Sequence, residues 1–305
     1  MDSAAEVRAR LNTLHEAVWE LAAVALALRD SASVDPGLRD AAEWVLLEAG
    51  FLVEGTAGSR PAPGLAEAAG ADASKLAAQA ASGILQSAAV LSGADAWTAQ
   101  DDSAILAQGA ASAQAAQAFK AFIAPMLDGL SELLSGPSPM MLDVGVGVAA
   151  MAIAYCEAFP GLRVVGLDVF PRALELARSA VEQSDMTTRI ELRCQDVATL
   201  EDEDVFCLAW LPAPFVPRAA INNGLPRMVA ALVPGGWLVV GHGKYSGPGL
   251  SDALTRLQTI AFGGTPLTGD DAQRLLRRVG LQQIATLPTP TGAPGITVGR
   301  KTPLR

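Results

Sequence analysis

The spacing of apolar residues changes along this chain, and two regions with different periods follow one another. In the first region, apolar residues recur at alternating steps of four and three: Val7, Leu11, Leu14, Val18, Leu21, Ala25 and Leu28. This period is typical of an amphipathic helix with a single apolar seam. The seam predicts packing against another helix, either in the same domain or across a subunit boundary, and the pattern leaves both interpretations open.

The rest of the first region is predicted as helices separated by short polar breaks. Asp35-Pro36-Gly37 ends the seam helix and begins a second one that runs to Leu47. The remaining elements are short extended pieces at 51–54 and 60–65 and Ala-rich helices over 73–91 and 96–134. Ser135-Gly-Pro-Ser-Pro139 then interrupts the pattern. We therefore predict a mainly helical N-terminal domain, residues 1–135.

After Pro139 the pattern alternates between strand and helix. Apolar runs of strand length lie at 140–146, 163–168, 189–194, 205–211, 237–241, 281–287 and 295–299. Helical patterns lie at 148–157, 171–182, 218–232, 251–262 and 270–279. This alternation predicts a second domain, residues 136–305, of the α/β class, with a doubly wound parallel sheet of seven strands. Ligands bind such sheets at the carboxyl ends of the strands.

The charge of the chain is concentrated in the first region. Residues 1–135 hold 7 Lys and Arg against 17 Asp and Glu, which accounts for the whole net charge of −10. A nucleic-acid partner requires a basic face to neutralise phosphates, so the acidic domain argues against one. The apolar runs Leu21 to Leu28 and Val148 to Cys156 are far shorter than the roughly 20 residues that cross a bilayer, and no membrane association is predicted.

The three cysteines, Cys156, Cys194 and Cys207, are odd in number and widely spaced. This spacing fits neither a disulfide framework nor a metal site, so we predict no bound metal and a reducing compartment. The chain begins with acidic residues where a secretory signal has basic ones. A cytoplasmic location is therefore expected.

The glycine turn after the first strand of the second domain is the strongest candidate for a ligand site. Gly145-Val-Gly147-Val-Ala-Ala150 satisfies the dinucleotide pattern G-x-G-x-x-A, and Asp168 ends the next strand 21 residues after Gly147. Taken alone, this pattern would indicate a nicotinamide or flavin site. Asp143 lies two residues before the first glycine, however, and its carboxylate would repel a pyrophosphate while attracting a cationic ligand.

Two further segments complete a set of four motifs in order. Gln195-Asp196-Val197 follows the third strand, and Val233-Pro-Gly-Gly-Trp237 leads into the fifth. With Leu142-Asp-Val-Gly-Val-Gly147 and Val165-Gly-Leu-Asp168, this set resembles the class I S-adenosylmethionine-dependent methyltransferases. The resemblance covers about Pro139 to Lys301, and it departs from the family at Ala149, where a third glycine is usual.

The resemblance implies a Rossmann-like catalytic domain that binds S-adenosylmethionine and releases S-adenosylhomocysteine. It implies these cofactor contacts: Asp143, Gly145, Val146, Gly147, Asp168, Val169, Gln195, Asp196, Val197 and Trp210. The first region loosely resembles the degenerate winged-helix domains in front of many small-molecule O-methyltransferases. In those relatives this domain forms the homodimer and covers the substrate, so a homodimer through residues 1–135 is expected here.

The acceptor side is predicted from a few aromatic residues and one histidine. Trp210 and Phe215 lie in Ala209-Trp-Leu-Pro-Ala-Pro-Phe-Val-Pro217, a stiff apolar segment at the end of the fourth strand, and packing of the strand end is the alternative. Trp97 and Phe119 are further candidates for the substrate wall. The segment lacks the amide found in enzymes that methylate planar nitrogens. His242 directly follows the fifth strand and is the candidate general base, with an ordinary loop histidine as the alternative.

The sequence therefore predicts a methyltransferase that acts on a small, largely apolar molecule, with oxygen as the expected acceptor atom. N- or C-methylation of a small molecule is the nearest alternative. A nicotinamide-dependent oxidoreductase and a protein that binds S-adenosylmethionine without turnover are the alternatives from other classes.

Overall fold

The computed structural model describes residues 4–27, 35–55, 58–63, 73–91, 102–245, 249–289 and 293–303. The chain divides into two compact units, Met1–Gly93 with Gln100–Ala111, and Ala94–Ala99 with Ser112–Arg305. Among the described residues, no helix combines the length and the apolar character that a bilayer-crossing segment needs.

The first unit is built mainly from helices. Its elements are α1 (Ala4–Ala27), α2 (Pro36–Glu48), the two short strands β1 (Leu52–Val53) and β2 (Arg60–Pro61), α3 (Ala73–Leu91) and the first part of α4 (Asp102–Ala118). Asp35 caps α2 by accepting a hydrogen bond from the backbone N–H of Leu38 at 3.1 Å. The short strands form the antiparallel pair expected of a small wing.

The apolar seam of α1 is buried only near its C-terminal end. Ala23, Val24 and Ala25 pack with Ala42, Leu46, Ala80 and Ala81 in a small core. Val7, Leu11, Leu14 and Val18 are exposed by 47–60% within the described structure. Most of the seam therefore has no partner among the described residues of its own unit.

Residues 112–134 belong to the second unit because their apolar side chains enter its core. A π turn (Phe119–Ile123), a 3-10 turn (Ala124–Met126) and α5 (Leu130–Leu134) lead from α4 towards the sheet. Phe119, Ile123, Leu130 and Leu134 pack with residues of the sheet and its helices. A domain boundary at Ser135 stays a prediction, since the division by packing falls earlier, within α4.

The second unit contains the predicted seven-stranded sheet. Its strands are β3 (Met140–Val144), β4 (Arg163–Asp168), β5 (Ile190–Cys194), β6 (Phe206–Pro212), β7 (Leu232–His242), β8 (Gln282–Leu287) and β9 (Gly295–Arg300), in the order β5-β4-β3-β6-β7-β9-β8. Its helices are α6 (Ala150–Ala158), α7 (Pro171–Gln183), α8 (Arg218–Ala231), α9 (Leu250–Ala261) and α10 (Gly269–Arg278). This order confirms the doubly wound fold class.

The expectation that all seven strands run parallel was wrong. β3 to β7 are mutually parallel, whereas β9 runs antiparallel to both β7 and β8. The physical reason is the connection between β8 and β9, which leaves no room for a crossover helix and joins neighbouring strands as a hairpin. The sheet is therefore mixed.

Alternation along the strands divides the apolar residues between two cores. Met141 packs with α6 and α7 on one face, while its neighbour Leu142 packs with α8 and α10 on the other. Both faces are covered, so the strands read as continuous apolar runs. The open edge at the carboxyl ends of the parallel strands remains the place for a ligand.

Candidate active site

The glycine turn follows β3 and lies against the end of β4. Gly145 and Gly147 adopt positive φ angles of 68° and 56°, a backbone conformation that glycine adopts without steric cost. The backbone N–H groups of Gly145 and Val146 both donate to the carbonyl of Leu167, at 2.8 and 2.9 Å. The turn is thus fixed to the end of the neighbouring strand.

Gly166 makes the close approach of this turn possible. A Cβ atom at Gly166 would lie 2.6 Å from Cγ2 of Val146, which is much closer than real Cβ contacts. Val146 is itself buried in the core, so its side chain has little room to move. The absence of a side chain at Gly166 therefore allows the glycine turn to pack closely against β4.

We expect Gly166→Ala to lower the free energy of unfolding by about 1–3 kcal/mol, because the added methyl overpacks the contact with Val146. Urea-induced unfolding followed by circular dichroism measures this change. Gly161→Ala is the matched control, since a Cβ there would make only ordinary contacts with Pro139 at 3.7 Å. Equal stabilities of the two variants would contradict this account of the turn.

Asp168 joins the end of β4 to the glycine turn. Its Oδ2 accepts the N–H of Gly147 at 2.9 Å, and its Oδ1 accepts the N–H of Phe170 at 2.9 Å. Burial raises the pKa of Asp168 above its ordinary value, while these backbone hydrogen bonds act in the opposite direction. Each carboxylate oxygen keeps capacity for a further donor.

Asp143 is the most unusual residue of the site. It lies in the middle of the sheet, where β3 pairs it with Gly166 of β4 and Trp210 of β6, and it is only 1% exposed. Neither carboxylate oxygen has a hydrogen-bond partner among the described residues. Burial, and secondarily the negative charge of Asp168, raises the pKa of Asp143 from 3.8 to about 8. A buried carboxyl group without a hydrogen-bond partner destabilises the folded protein, and a bound cationic ligand would offset that cost.

Ala149, at the position of the usual third glycine, keeps the backbone conformation that a glycine would supply. Its φ is 62°, it is fully buried, and it directly precedes α6. An alanine in this left-handed region costs about 1–2 kcal/mol relative to a right-handed one. The turn therefore has the expected shape in spite of the substitution.

The segment after β5 lies beside the end of β4. The N–H of Gln195 donates to the carbonyl of Asp168 at 2.9 Å, and Asp196 caps the 3-10 turn Val197–Thr199 through a 2.8 Å bond from the N–H of Ala198. Val197 is buried against Gly224, whereas Val169 is exposed. The structure thus brings the ends of β3, β4 and β5 together.

The predicted substrate-side aromatics occupy different environments. Trp210 lies across the end of β7, since a Cβ at Gly241 would be 2.8 Å from the indole Cη2, and Phe215 packs on Phe262 with ring centroids 5.2 Å apart. Phe119 is almost fully buried and packs on Tyr155 at 5.4 Å, inside the core. Trp97 lies outside the described residues.

Comparisons with known proteins agree with this geometry. Residues 141–236 match a family described as a methyltransferase domain. The release factor glutamine methyltransferase of Rhodopirellula baltica is 30% identical over 122 residues, covering 40% of this chain and 39% of that protein. The demethylmenaquinone methyltransferase of Deinococcus radiodurans is 32% identical over 162 residues, covering 47% of this chain and 66% of that protein.

Solved structures resemble the whole chain in fold. An O-methyltransferase family protein from Burkholderia thailandensis has a TM-score of 0.66 at 16% identity, with 99% of each chain covered. Human N-acetylserotonin methyltransferase in complex with S-adenosylmethionine has a TM-score of 0.59 at 18% identity, again with 99% of each chain covered. The chain spans 39% and 34% of the first two curated relatives that it matches.

The matched range 141–236 contains the glycine turn, Asp143 and Asp168. The chain carries a class I S-adenosylmethionine-dependent methyltransferase domain. The carboxyl group of Asp143, for which the described residues supply no hydrogen-bond partner, fits the cofactor of this family, which carries an ammonium and a sulfonium cation. A Cβ at Gly147 would meet nothing within 4 Å, so the turn also leaves open space on its outer side.

In the methyltransferase domain, His242 has an arrangement that differs from that of a general base. It is 3% exposed, its Nδ1 lies 2.9 Å from the carbonyl oxygen of Gly243, and its Nε2 lies 2.8 Å from Oγ1 of Thr297. Burial lowers its pKa below the ordinary value. Both ring nitrogens are thus engaged by groups of the protein itself, the carbonyl of Gly243 and the hydroxyl of Thr297.

Tyr245, which was not among the predicted site residues, lies just beyond the end of β7 with its ring against Gly243. Its hydroxyl is buried and has no hydrogen-bond partner among the described residues. The available signal was the Gly-His-Gly-Lys-Tyr245 segment, which puts a second polar aromatic just beyond β7. Which way that side chain points could not be derived from the segment.

Proposed function

We propose that this protein transfers a methyl group from S-adenosylmethionine to a small, largely apolar molecule, with oxygen as the acceptor atom. The observation that carries this proposal is Asp143, a buried carboxyl group beside a glycine turn that has no hydrogen-bond partner in the described part of the chain. Relatives named as methyltransferases support the reaction class, and the O-methyltransferase fold neighbours support a small-molecule acceptor.

Each end of the cofactor is assigned to one of the strand ends. Asp143 would hold the ammonium group beside the glycine turn of Gly145, Val146 and Gly147, and Asp168 would accept hydrogen bonds from the ribose hydroxyls. The segment after β5, with Gln195, Asp196 and Val197, would hold the adenine, and Val169 and Trp210 would contribute further contacts to the cofactor. S-adenosylmethionine supplies a methyl group on a sulfonium, which is activated for displacement by a nucleophile.

The chain contributes alignment and exclusion of water more than proton transfer. Trp210 and Phe215 form an apolar wall beside the ends of β6 and β7, which suits a flat apolar acceptor. His242 is not assigned as the base, because both of its ring nitrogens are bonded inside the protein. A phenol or carboxylic acid that arrives ionised needs no base from the protein.

Two measurements test this function. Calorimetry compares the binding of S-adenosylhomocysteine with that of NAD and NADP, and binding of a nicotinamide cofactor alone would replace the proposal with an oxidoreductase.

Transfer of a radiolabelled methyl group is then measured over a panel of phenols, carboxylic acids, amines and activated carbons. Transfer only to nitrogen or carbon would contradict oxygen as the acceptor. S-adenosylhomocysteine binding without any transfer would indicate a protein that binds the cofactor without turnover.

We also propose that two copies of the chain associate through the exposed seam of α1. The support is the row of apolar side chains at Val7, Leu11, Leu14 and Val18, which the described residues leave exposed. Rows of this spacing are buried when two helices pack side by side. A monomeric chain would keep a contiguous apolar surface in water, which is unusual.

We expect the double variant Leu11→Asp, Leu14→Asp to weaken this dimer at least 100-fold. In each copy it replaces by charges two leucines that the dimer would bury. Sedimentation equilibrium measures the association constant. The matched control is Ala9→Asp, Asn12→Asp, which adds the same charges at exposed positions off the seam. A monomeric wild-type protein, or equal association of both variants, would contradict the interface.

A reducing compartment, with the cytoplasm as the expected one, is part of the proposal. Cys156, Cys194 and Cys207 are all free thiols, and none is paired with another. Free cysteines are typical of reducing compartments.

A further inference from the structure

α9 has the opposite polarity from that of an ordinary surface helix. Its buried positions are Asp252 and Thr259, with Thr255 partly buried between them. Its apolar residues Leu250, Leu254, Leu257 and Ile260 are instead exposed. The helix thus buries a polar face, where an apolar stripe is expected.

α9 and the residues that follow it pack at the carboxyl ends of β6 and β7. At the end of α9, Phe262 packs on Phe215, and the N–H of Thr265 donates to the carbonyl of Ala213 at 2.8 Å, both directly after β6. Nearer its start, a Cβ at Gly243, just after β7, would lie 2.9 Å from Cγ2 of Thr255. Thr255 and the end of α9 therefore lie at the edge where the proposed function places the acceptor.

The ring of Tyr245 is held tightly between β7 and this helix. A Cβ at Gly243 would lie 2.7 Å from Cζ and 2.8 Å from the hydroxyl oxygen of Tyr245, so only glycine allows the ring its position. The guanidinium of Arg256 lies over the ring, 4.5 Å from its centroid. The hydroxyl at the end of this fixed ring is buried and has no partner among the described residues.

A chain of hydrogen bonds fixes the loop that carries Tyr245. The amide of Gln273 donates to Oγ1 of Thr286 at 3.0 Å, Thr286 and Thr297 share a 2.9 Å bond, and Thr297 lies 2.8 Å from Nε2 of His242. The other ring nitrogen, Nδ1, donates to the carbonyl of Gly243 at 2.9 Å. Each donor in this series of hydrogen bonds has an acceptor when His242 is neutral, which agrees with the lowered pKa of His242. His242 is therefore a positioning residue for this loop.

The neighbouring hydroxyls of α9 cannot act as donors to Tyr245. Thr255 donates to the carbonyl of Ser251 at 3.0 Å, and Thr259 donates to the carbonyl of Thr255 at 2.8 Å. Their hydrogens are used inside the helix. A buried phenolic hydroxyl usually finds a partner, and a molecule bound at this edge would supply one.

We propose that the hydroxyl of Tyr245 hydrogen-bonds to an oxygen of the acceptor molecule and selects oxygen-bearing aromatic acceptors over purely apolar ones. The proposal rests on the proposed function, because it takes the carboxyl edge beside β6 and β7 as the acceptor site. The apolar wall of Trp210 and Phe215 holds the flat part of the acceptor. Tyr245 recognises its polar atom.

The test uses two probes of nearly equal shape, 2-naphthol and 2-methylnaphthalene, binding to the protein loaded with S-adenosylhomocysteine. We expect wild-type protein to bind 2-naphthol about tenfold more tightly, as one hydrogen bond provides. Tyr245→Phe removes only the hydroxyl and is expected to abolish this preference while leaving the affinity for 2-methylnaphthalene unchanged. Fluorescence titration measures both dissociation constants.

Two glycine variants separate a lost contact from a damaged fold. Gly243→Ala displaces the ring of Tyr245 but keeps its hydroxyl, and it is expected to lose the preference as well. Gly249→Ala, four residues after Tyr245, places a methyl in open space and is expected to behave as wild type. Thermal unfolding of each variant confirms that it folds.

The outcomes distinguish this proposal from the proposed function. An unchanged preference in Tyr245→Phe would overturn the role of Tyr245, and so would wild-type protein that binds neither probe or shows no preference. Failure to bind S-adenosylhomocysteine would overturn the methyltransferase function instead. The naphthol preference would then be measured on the unloaded protein, so the two results remain separate.

Discussion

Asp143→Asn is expected to lose at least 100-fold in affinity for S-adenosylhomocysteine and at the same time to unfold less readily at alkaline pH. The loss follows because an amide cannot compensate the ammonium of the cofactor as a carboxylate does. The gain in stability follows from the raised pKa of Asp143, which is about 8 in the folded protein against an ordinary value of 3.8. The same carboxylate thus serves binding at the expense of stability.

The sign of the stability effect follows from proton binding. Between pH 4 and 8 the unfolded chain has released the proton of Asp143 while the folded protein retains it, so wild-type stability falls as the pH rises through this window and then levels off. A shift of this size corresponds to a destabilisation on the order of 5 kcal/mol above pH 8, at about 1.4 kcal/mol for each pKa unit. An asparagine does not titrate and avoids that loss.

Denaturant unfolding at pH 5 and at pH 9, together with calorimetry, tests this prediction. The stability gain of Asp143→Asn over wild type has to be larger at pH 9 than at pH 5. Glu203→Gln, which removes one exposed carboxylate from the loop before β6, is the control and is expected to change neither quantity. Binding of S-adenosylhomocysteine by Asp143→Asn within threefold of wild type would remove Asp143 from the cofactor site.

The second large effect is the pH dependence of cofactor binding by the wild-type protein. Binding of a cation favours the ionised form of Asp143, so the affinity is expected to rise with pH and to level off above about pH 8. Between pH 6 and pH 8 the expected increase is roughly 50-fold, since only about one molecule in 100 is ionised at the lower pH. Close to one proton is released for each cofactor bound at pH 6.

Calorimetry in two buffers with different ionisation enthalpies measures that proton release directly. The pH dependence has to vanish in Asp143→Asn, because this variant lacks the titrating group. A wild-type affinity that stays constant from pH 6 to pH 8 would show that the cofactor does not bind next to Asp143. The same titration in Glu203→Gln is expected to follow the wild-type curve.

The parts of the fold that depend on short-range patterns could be predicted from the sequence. Alternating apolar runs predicted all seven strands of the sheet, and the glycine turn with Asp143 and Asp168 indicated the cofactor family. The direction of β9 was not predicted, because the apolar pattern of a strand does not reveal its direction. The short connection between β8 and β9 determines that direction. The pattern thus predicted strands better than it predicted their directions.

The site could be predicted only as far as its position in the chain. The sequence predicts that His242 lies at the carboxyl edge of the sheet. It does not predict that the hydroxyl of Thr297, 55 residues away, contacts its Nε2. Similarly, an Ala-rich helix with few aromatics does not reveal that Phe119 packs on Tyr155 inside the core. Tyr245 was missed because what distinguishes it is a buried hydroxyl without a hydrogen-bond partner among the residues that the structure describes, and no sequence pattern predicts that. Long-range contacts decide which side chains are available.

The order of the last strands affects how the second unit is assembled as the chain is synthesised. β8 emerges before β9, yet its strand partner in the described sheet is β9, which lies between β8 and β7. Until β9 has been made, the apolar edge of β7 from Trp237 to Val240 is unpaired and β8 has nothing to join. An uncovered edge of this kind attracts other chains, so the nascent domain should depend on chaperones until its final hairpin closes.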